Sequence, residues 1–256
     1  MALKAEKHLV GLMKAFKGEK MQVIRAGGMK LSPKFLVKII AEKIQVGKRI
    51  SIPGKYRTEK PKSMEVDLFL PPISLDFHHP PKKYKGLIIF TDGPIVHGRP
   101  DLAGEHLERL PKRADLIEAA RDFRGGKTSF DKFKERVSEI YSNPDFPLSL
   151  REGYLPQLLE QLDSFVSGRR IEEIGVGSLA GIFDWHGLDN ESVARSMEND
   201  KRNQQFLESH GFKVVRIWTD SIPGFSSNVS TEQRHNFYNT LSSVFEAHIR
   251  RSFGVS

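Results

Sequence analysis

The 256 residues include no cysteine, so a disulfide scaffold and any thiolate metal cluster are excluded, and metal ligands must be oxygen or imidazole. This composition fits a reducing cytosol. Long apolar runs are also missing: nothing approaches the roughly 20 residues of a membrane span, and residues 1–20 lack the uninterrupted apolar segment of a signal peptide. A soluble, cytoplasmic protein without a membrane partner is expected. Acid is scarce in one region only. Residues 1–62 hold 13 Lys and 3 Arg against 4 Glu and no Asp, a net +12, whereas the whole chain carries +8. Such a segment attracts a polyanion, with an affinity that falls steeply with salt. A solvated basic helix and an amphipathic membrane-surface helix are the other readings of the same stretch. Internal repeats and low-complexity tracts are absent.

The length suits one sizeable core, or one core carrying a helical insertion. A first helix covers about residues 2–17 and stops at Gly18, and Gly27-Gly28 breaks the short apolar piece that follows. Ser32 reads as an N-cap with Pro33 at the first helical position, and Phe35, Leu36, Ile39 and Ile40 share a face of that helix. Strands are expected at 48–52 and 64–70, with a Pro53-Gly54 turn and a basic loop between them. Leu87, Ile88, Ile89 and Phe90 form the continuous apolar run of a strand buried on both faces.

Beyond Pro100 the pattern turns helical, over 102–110, 114–123, 130–141 and 154–166, while 175–181 is too rich in glycine for a regular element. A polar helix capped by Asp189 or Asn190 reaches His210, a strand covers 213–218, and Thr231 caps a terminal helix that runs to Phe253. This divides the chain into a basic N-terminal helix or arm (1–30), a first core segment (31–100), a mostly helical insertion (101–190) and a final core segment (191–256).

Chemistry gathers at two strand ends. Alternation over 64–70 places Glu65 and Asp67 on one face, and Asp67 is costly to bury without a cation or hydrogen bonds. An ordinary edge-strand aspartate is its bland alternative. Thr91 and Asp92 lie where the apolar strand leaves the core, Gly93-Pro94 turns the chain, and His97 follows. Carboxylate oxygens without soft competitors suit Mg²⁺, with Mn²⁺ as a substitute, and this is phosphodiester-cleavage chemistry.

Asp67, Phe90-Thr91-Asp92-Gly93, His97, and Asp200 followed by Gly211-Phe212-Lys213-Val214 resemble, in order and spacing, the very-short-patch-repair mismatch endonucleases and their relatives in the PD-(D/E)XK nuclease superfamily. The resemblance implies an α/β fold with a restriction-endonuclease-like central mixed sheet flanked by helices. It further implies a Mg²⁺-dependent DNA endonuclease in which Asp67 and the Thr91 carbonyl hold the metal and Asp92 ligates directly or through water. Asp92 stands where the mismatch endonucleases have histidine, Phe90 where more distant relatives have glutamate, and Lys34 where a first-helix glutamate is expected.

Proton transfer falls to His97, oriented by Asp200, since an unperturbed imidazole titrates near pH ~6.5. Arg99, Lys201 and Arg202 are the candidates for phosphate contact, and Trp185 could stack on an unpaired or distorted base. The expected partner is duplex or structured DNA, with a protein partner or homodimer left open. A nuclease fold that has lost its chemistry, kept as a nucleic-acid-binding module or as an assembly subunit of a larger nucleoprotein complex, is the competing reading.

Overall fold

The computed structural model, built of both helices and strands, describes residues 2–26, 28–52, 62–74, 80–93, 97, 107–108, 110–144, 146, 150–183, 189–225 and 229–255. In chain order these form helix α1 (Ala2–Ala15), strands β1 (Ile24–Ala26) and β2 (Met29–Leu31), helix α2 (Pro33–Lys43), and strands β3 (Gln45–Ile52), β4 (Lys62–Leu70) and β5 (Gly86–Asp92). Helices α3 (Arg113–Arg124), α4 (Phe130–Tyr141), α5 (Leu155–Val166), α6 (Val176–Ile182) and α7 (Asn190–Ser209) follow, then strand β6 (Phe212–Trp218) and helix α8 (Thr231–Phe253). Two units are each densely packed within themselves: Met1–Gly93 with Lys201–Ser256, and Pro94–Asp200. The second unit begins directly after β5, so it takes in His97 and Asp200 as well as the expected insertion. Among the described residues, no helix is long and apolar enough to cross a membrane.

The first unit is built on a four-stranded mixed sheet in the order β3-β4-β5-β6. Antiparallel pairing joins β3 to β4 and β4 to β5, and parallel pairing joins β5 to β6. Helices cover both faces, which is why β5 reads as unbroken apolar sequence. Leu87 and Ile89 pack with Leu9, Met13, Leu36 and Phe245 of α1, α2 and α8, while Ile88, pointing the other way, packs with Val214 of β6 and Leu207 of α7. Leu68, Leu87, Ile88 and Ile89 have no exposed surface, and truncating any one to alanine should cost about 2–5 kcal/mol. In β6, Phe212 and Val214 are buried with Ile88, and Ile217 is buried with Leu87 on the other face.

Several local expectations shift once packing is present. Leu9 and Met13 of α1 are fully buried and belong to the core of the first unit. Ser32 caps α2 by accepting the Phe35 N–H, as the Ser-Pro pattern implies, yet the buried stripe is Leu36, Val37 and Ile40, and Phe35 is 46% exposed. Residues 176–182 are helical despite three nearby glycines. Leu179 and Phe183, four apart and fully buried, gain more than the roughly 1 kcal/mol that each helical glycine costs. The terminal helix is capped by Ser230 and not Thr231: the Ser230 hydroxyl accepts the Gln233 N–H while the Gln233 side chain accepts the Ser230 N–H, a capping box. Gly211 ends α7 at φ +90°, where a Cβ would also strike the Lys83 carbonyl, so the turn into β6 requires glycine.

The second unit has its own core of Phe123, Phe133, Tyr141, Leu158, Leu162 and Phe183, with the Phe123 and Phe133 rings stacked 5.1 Å apart. Asp189 anchors it. Its Oδ1 accepts the N–H groups of Glu191 and Ser192 at the start of α7, and its Oδ2 accepts Arg113 Nη1 at 2.9 Å, all without solvent exposure at Asp189. Removing Arg113 would leave that carboxylate buried without its cation, at a cost of about 3–5 kcal/mol.

One buried pair in the first unit makes the fold sensitive to acid. The Tyr84 hydroxyl lies 2.6 Å from His248 Nδ1, and since burial raises the tyrosine's pKa, the phenol stays protonated and donates to a neutral imidazole. Burial pushes His248 down to about 3, against a smaller opposing pull from the Pro71 backbone. An imidazole with a depressed folded-state pKa is stable neutral above the unfolded value, and protonation of the unfolded chain drains that stability as pH falls from about 6.5 toward 3. We expect the unfolding free energy to drop by about 2 kcal/mol from this site between pH 7 and pH 5. In urea titrations His248→Gln should flatten that part of the pH dependence; an unchanged slope would remove His248 as its source.

Candidate functional site

Pairing between β4 and β5 lasts for only three positions, Leu68–Leu70 against Leu87–Ile89. Beyond Leu68 and Ile89 the strands fork: β4 continues to Lys62 beside β3, and β5 continues to Asp92 beside β6. Asp67 and Phe90 are the first residues past the fork. The Thr91 N–H, which would otherwise have lost its ladder partner, donates to Asp67 Oδ2 at 2.7 Å, and the Thr91 hydroxyl donates to the same oxygen at 3.0 Å. The carboxylate thus takes the place of a strand carbonyl. Two of the sequence-predicted ligands, Asp67 and Thr91, are brought into direct contact in this way, through the Thr91 N–H and hydroxyl.

Asp92 has a different environment. It is 3% exposed, and its Oδ2 lies 2.5 Å from Arg216 Nη1 in β6. The parallel register sets Arg216 beside Phe90, and the guanidinium carbon lies 5.1 Å from the centre of the Phe90 ring. Stacking and ion pairing together hold a cation at the end of the sheet that the sequence reading did not assign. Its signal was available: a single arginine in an apolar strand, in register with a neighbouring strand that ends in acid.

A second residue was also missed. Glu6 of α1 is only 6% exposed, and burial together with the negative charges of Asp67 and Glu65 raises its pKa above the usual carboxylate value. Glu6, Leu9 and Met13 fall at helical spacing on one face, so the acid sits in the buried stripe of α1. A helical projection would have shown it. The first helix therefore supplies a glutamate near Asp67, while Lys34, at the position where the resemblance led one to look, is exposed on α2. Glu65 is exposed and lies 3.9 Å from Arg49.

Within the second unit, His97 Nδ1 and Asp200 Oδ2 are 2.7 Å apart, each partly exposed. A carboxylate only accepts, so Nδ1 carries the proton, and in the neutral ring Nε2 is the proton acceptor. Lys201 and Arg202 are exposed on α7. Arg99 and Trp185 lie outside the described residues. So does the remainder of the segment Asp184 to Gly187, together with the 53–61 loop.

Known proteins add no further constraint. Neither family models, nor curated proteins, nor solved structures match this chain.

The donor set at the fork bears directly on cation chemistry. Among the described residues, no three His, Asp or Glu side chains converge so as to hold a metal ion. An all-protein cage is therefore not formed by them. What they offer is one oriented carboxylate, Asp67, with Glu6 close enough to feel its charge and with both of Asp67's hydrogen bonds on a single oxygen. A hard cation that keeps most of its water matches such a set.

The Asp92–Arg216 pair makes a separate claim on stability. Arg216→Leu should destabilise the protein by about 3 kcal/mol, because Asp92 keeps a buried charge and loses this cation. Adding Asp92→Asn should recover at least half of the loss, measured as a double-mutant cycle by urea unfolding. Strictly additive effects would show that the two side chains do not act as a pair.

Proposed function

We propose that the protein is a metal-dependent DNA endonuclease whose sheet is of the restriction-endonuclease type, with Asp67 as its central acid. The observation that carries this reading is the fork between β4 and β5 with Asp67 held at its mouth. The order helix, three antiparallel strands, helix and parallel strand (α2, β3, β4, β5, α7, β6) supports the same reading, since it matches what the resemblance to PD-(D/E)XK nucleases implies.

In this reading Asp67, together with the Thr91 carbonyl, holds Mg²⁺ or Mn²⁺. Glu6 is proposed to assist: burial first, and the negative charges of Asp67 and Glu65 in addition, raise its proton affinity, and a cation would offset the part owed to those charges. A bound cation would supply a polarised water and charge stabilisation at the phosphate. Asp67 Oδ2 is oriented by Thr91, which fixes the plane of the carboxylate before any ligand arrives. Asp92, engaged by Arg216, fits the water-mediated member of the two roles considered for it. His97 is proposed as the proton acceptor, its tautomer set by Asp200. Arg216 is placed to meet anionic oxygen at the same strand end, and Lys201, Arg202 and Arg99 remain proposed phosphate contacts, with Trp185 a proposed stacking residue.

A second reading has its own support. Phe90 and the Arg216–Asp92 pair occupy the strand end where active relatives carry further acid, which favours a nuclease-type fold retained for nucleic-acid binding alone. A nicking assay on supercoiled, mismatched and branched DNA in Mg²⁺ and Mn²⁺ separates the two. We expect cleavage that falls by about a hundredfold or more in Asp67→Ala, with losses of similar order in Glu6→Gln and His97→Ala. Cleavage unaffected by Asp67→Ala would overturn the assignment of this centre. DNA binding by the wild-type protein without cleavage in either metal would establish the binding module instead.

A further inference from the structure

A second anion-directed feature lies in the first unit, on α1 and α2 and not among the residues proposed for chemistry. We infer that the groove between these helices is a docking site for the phosphate backbone of a nucleic-acid strand. The groove has a volume of about 870 Å³ and is rimmed by Lys14, Lys17, Lys34 and Lys38 over an apolar floor that includes Phe16 and Val37. All four lysines are exposed, and among the described residues none forms an ion pair. Lys112 and Lys132 of the second unit are likewise exposed and, among the described residues, without an ion pair, whereas other cations there are paired. In the second unit Lys127 pairs with Asp122, Lys134 with Asp163, and Arg113 with Asp189. Glu19 and Glu42 also line the groove, which leaves an excess of two positive charges there, within a segment whose net charge is +12.

One of the four lysines stands against a helix dipole, while Lys14, in the last turn of α1, stands with one. Lys34 stands in the first turn of α2, where no acid is present and where the helix dipole is already positive. A cation in that position opposes helix stability by a few tenths of a kcal/mol to about 1 kcal/mol, and an anionic ligand reverses the sign. Lys38 follows one turn later, about 6 Å further along the helix at 1.5 Å per residue, so the two present a row of charge and not a single point. The chemistry of the side chain narrows the occupant. Lysine is a compact point charge suited to backbone phosphate, whereas arginine predominates where base edges are read, and residues 1–62 carry 13 Lys against 3 Arg. A strand whose phosphates meet the rim and whose less polar parts face Phe16 and Val37 satisfies both surfaces. The inference concerns binding, and it holds whether or not the Asp67 centre is active.

The experiment is fluorescence anisotropy with labelled random-sequence duplex and single-stranded DNA, titrated over a salt series in EDTA. The wild-type protein should bind with a steep salt dependence. The quadruple variant K14Q/K17Q/K34Q/K38Q should bind at least about tenfold more weakly near physiological salt, with the slope of log K against log salt reduced by about 3 to 4. The quadruple Lys→Arg variant should restore both quantities. If the Gln variant loses its far-UV dichroism, the pairs K14Q/K17Q and K34Q/K38Q are measured separately, each with an expected slope reduction of about 2. A folded Gln variant with wild-type affinity and slope overturns the inference. So does wild-type protein that binds phosphatidylserine vesicles but neither form of DNA. Binding is read in EDTA, where no cleavage takes place, and cleavage is read separately in Mg²⁺, so failure of the nuclease reading and failure of this one are distinguishable.

Discussion

The three-residue pairing between β4 and β5 is the constraint on which the first unit depends. A longer ladder would have carried Asp67 and Phe90 into ordinary register and used the Thr91 N–H in a strand hydrogen bond. Because the ladder stops at Leu68 and Ile89, an amide at the fork must find another acceptor, and an unpaired buried N–H would cost about 1–3 kcal/mol. Asp67 supplies the oxygen. The same carboxylate is then held in one orientation by two donors, an arrangement that stabilises the fork and also aims an acid. Structural and chemical roles are therefore not alternatives at this residue. A stabilising hydrogen bond is how the proposed ligand comes to be preorganised.

Charge in the first unit is sorted by depth. Two of its acids near the sheet are shielded, Asp92 almost wholly buried against Arg216 and Glu6 in the covered stripe of α1, while Glu65 is exposed. Its lysines on α1 and α2 are exposed. Burial raises the pKa of Glu6, with the charges of Asp67 and Glu65 adding to the effect, while exposed lysines without partners repel one another. Neither pattern is what stability alone would select. A ligand set that brings in cation at the acids and anion at the lysines reverses both penalties, and a nucleic acid with its divalent counterion is such a set.

Much of the architecture was legible because its signals are local. Apolar continuity marked β5, alternation marked β4, Ser32-Pro33 marked the start of α2, and Asp189 marked the start of α7 through a side chain that does accept the first N–H groups. The failures share one cause, which is tertiary contact overriding local preference. The 176–182 glycines are helical because Leu179 and Phe183 are buried, and the face of α2 is turned toward Val37 because α1 packs beside it. At the site, Asp67 and Thr91 could be paired by strand position, and Asp200 could be read as the partner of His97. Arg216 and Glu6 could not be assigned by following acids alone. Their roles emerge only from register across β5 and β6 and from the helical spacing of α1.

Arg216 decides how far the nuclease comparison can be carried at the atomic level. An arginine paired with Asp92 neutralises the carboxylate to which the resemblance gives direct or water-mediated metal ligation, and at 3% exposure that pairing is not one that solvent screens away. If chemistry takes place at the fork, Asp92 also holds Arg216 beside Phe90, and its part in cation binding is through water. Positive charge at a strand end next to an oriented Asp67 is suited to stabilising the additional negative charge of a phosphate under attack. If chemistry has been lost, the identical pair simply closes the strand end, and the affinity for polyanion rests on the lysines of α1 and α2.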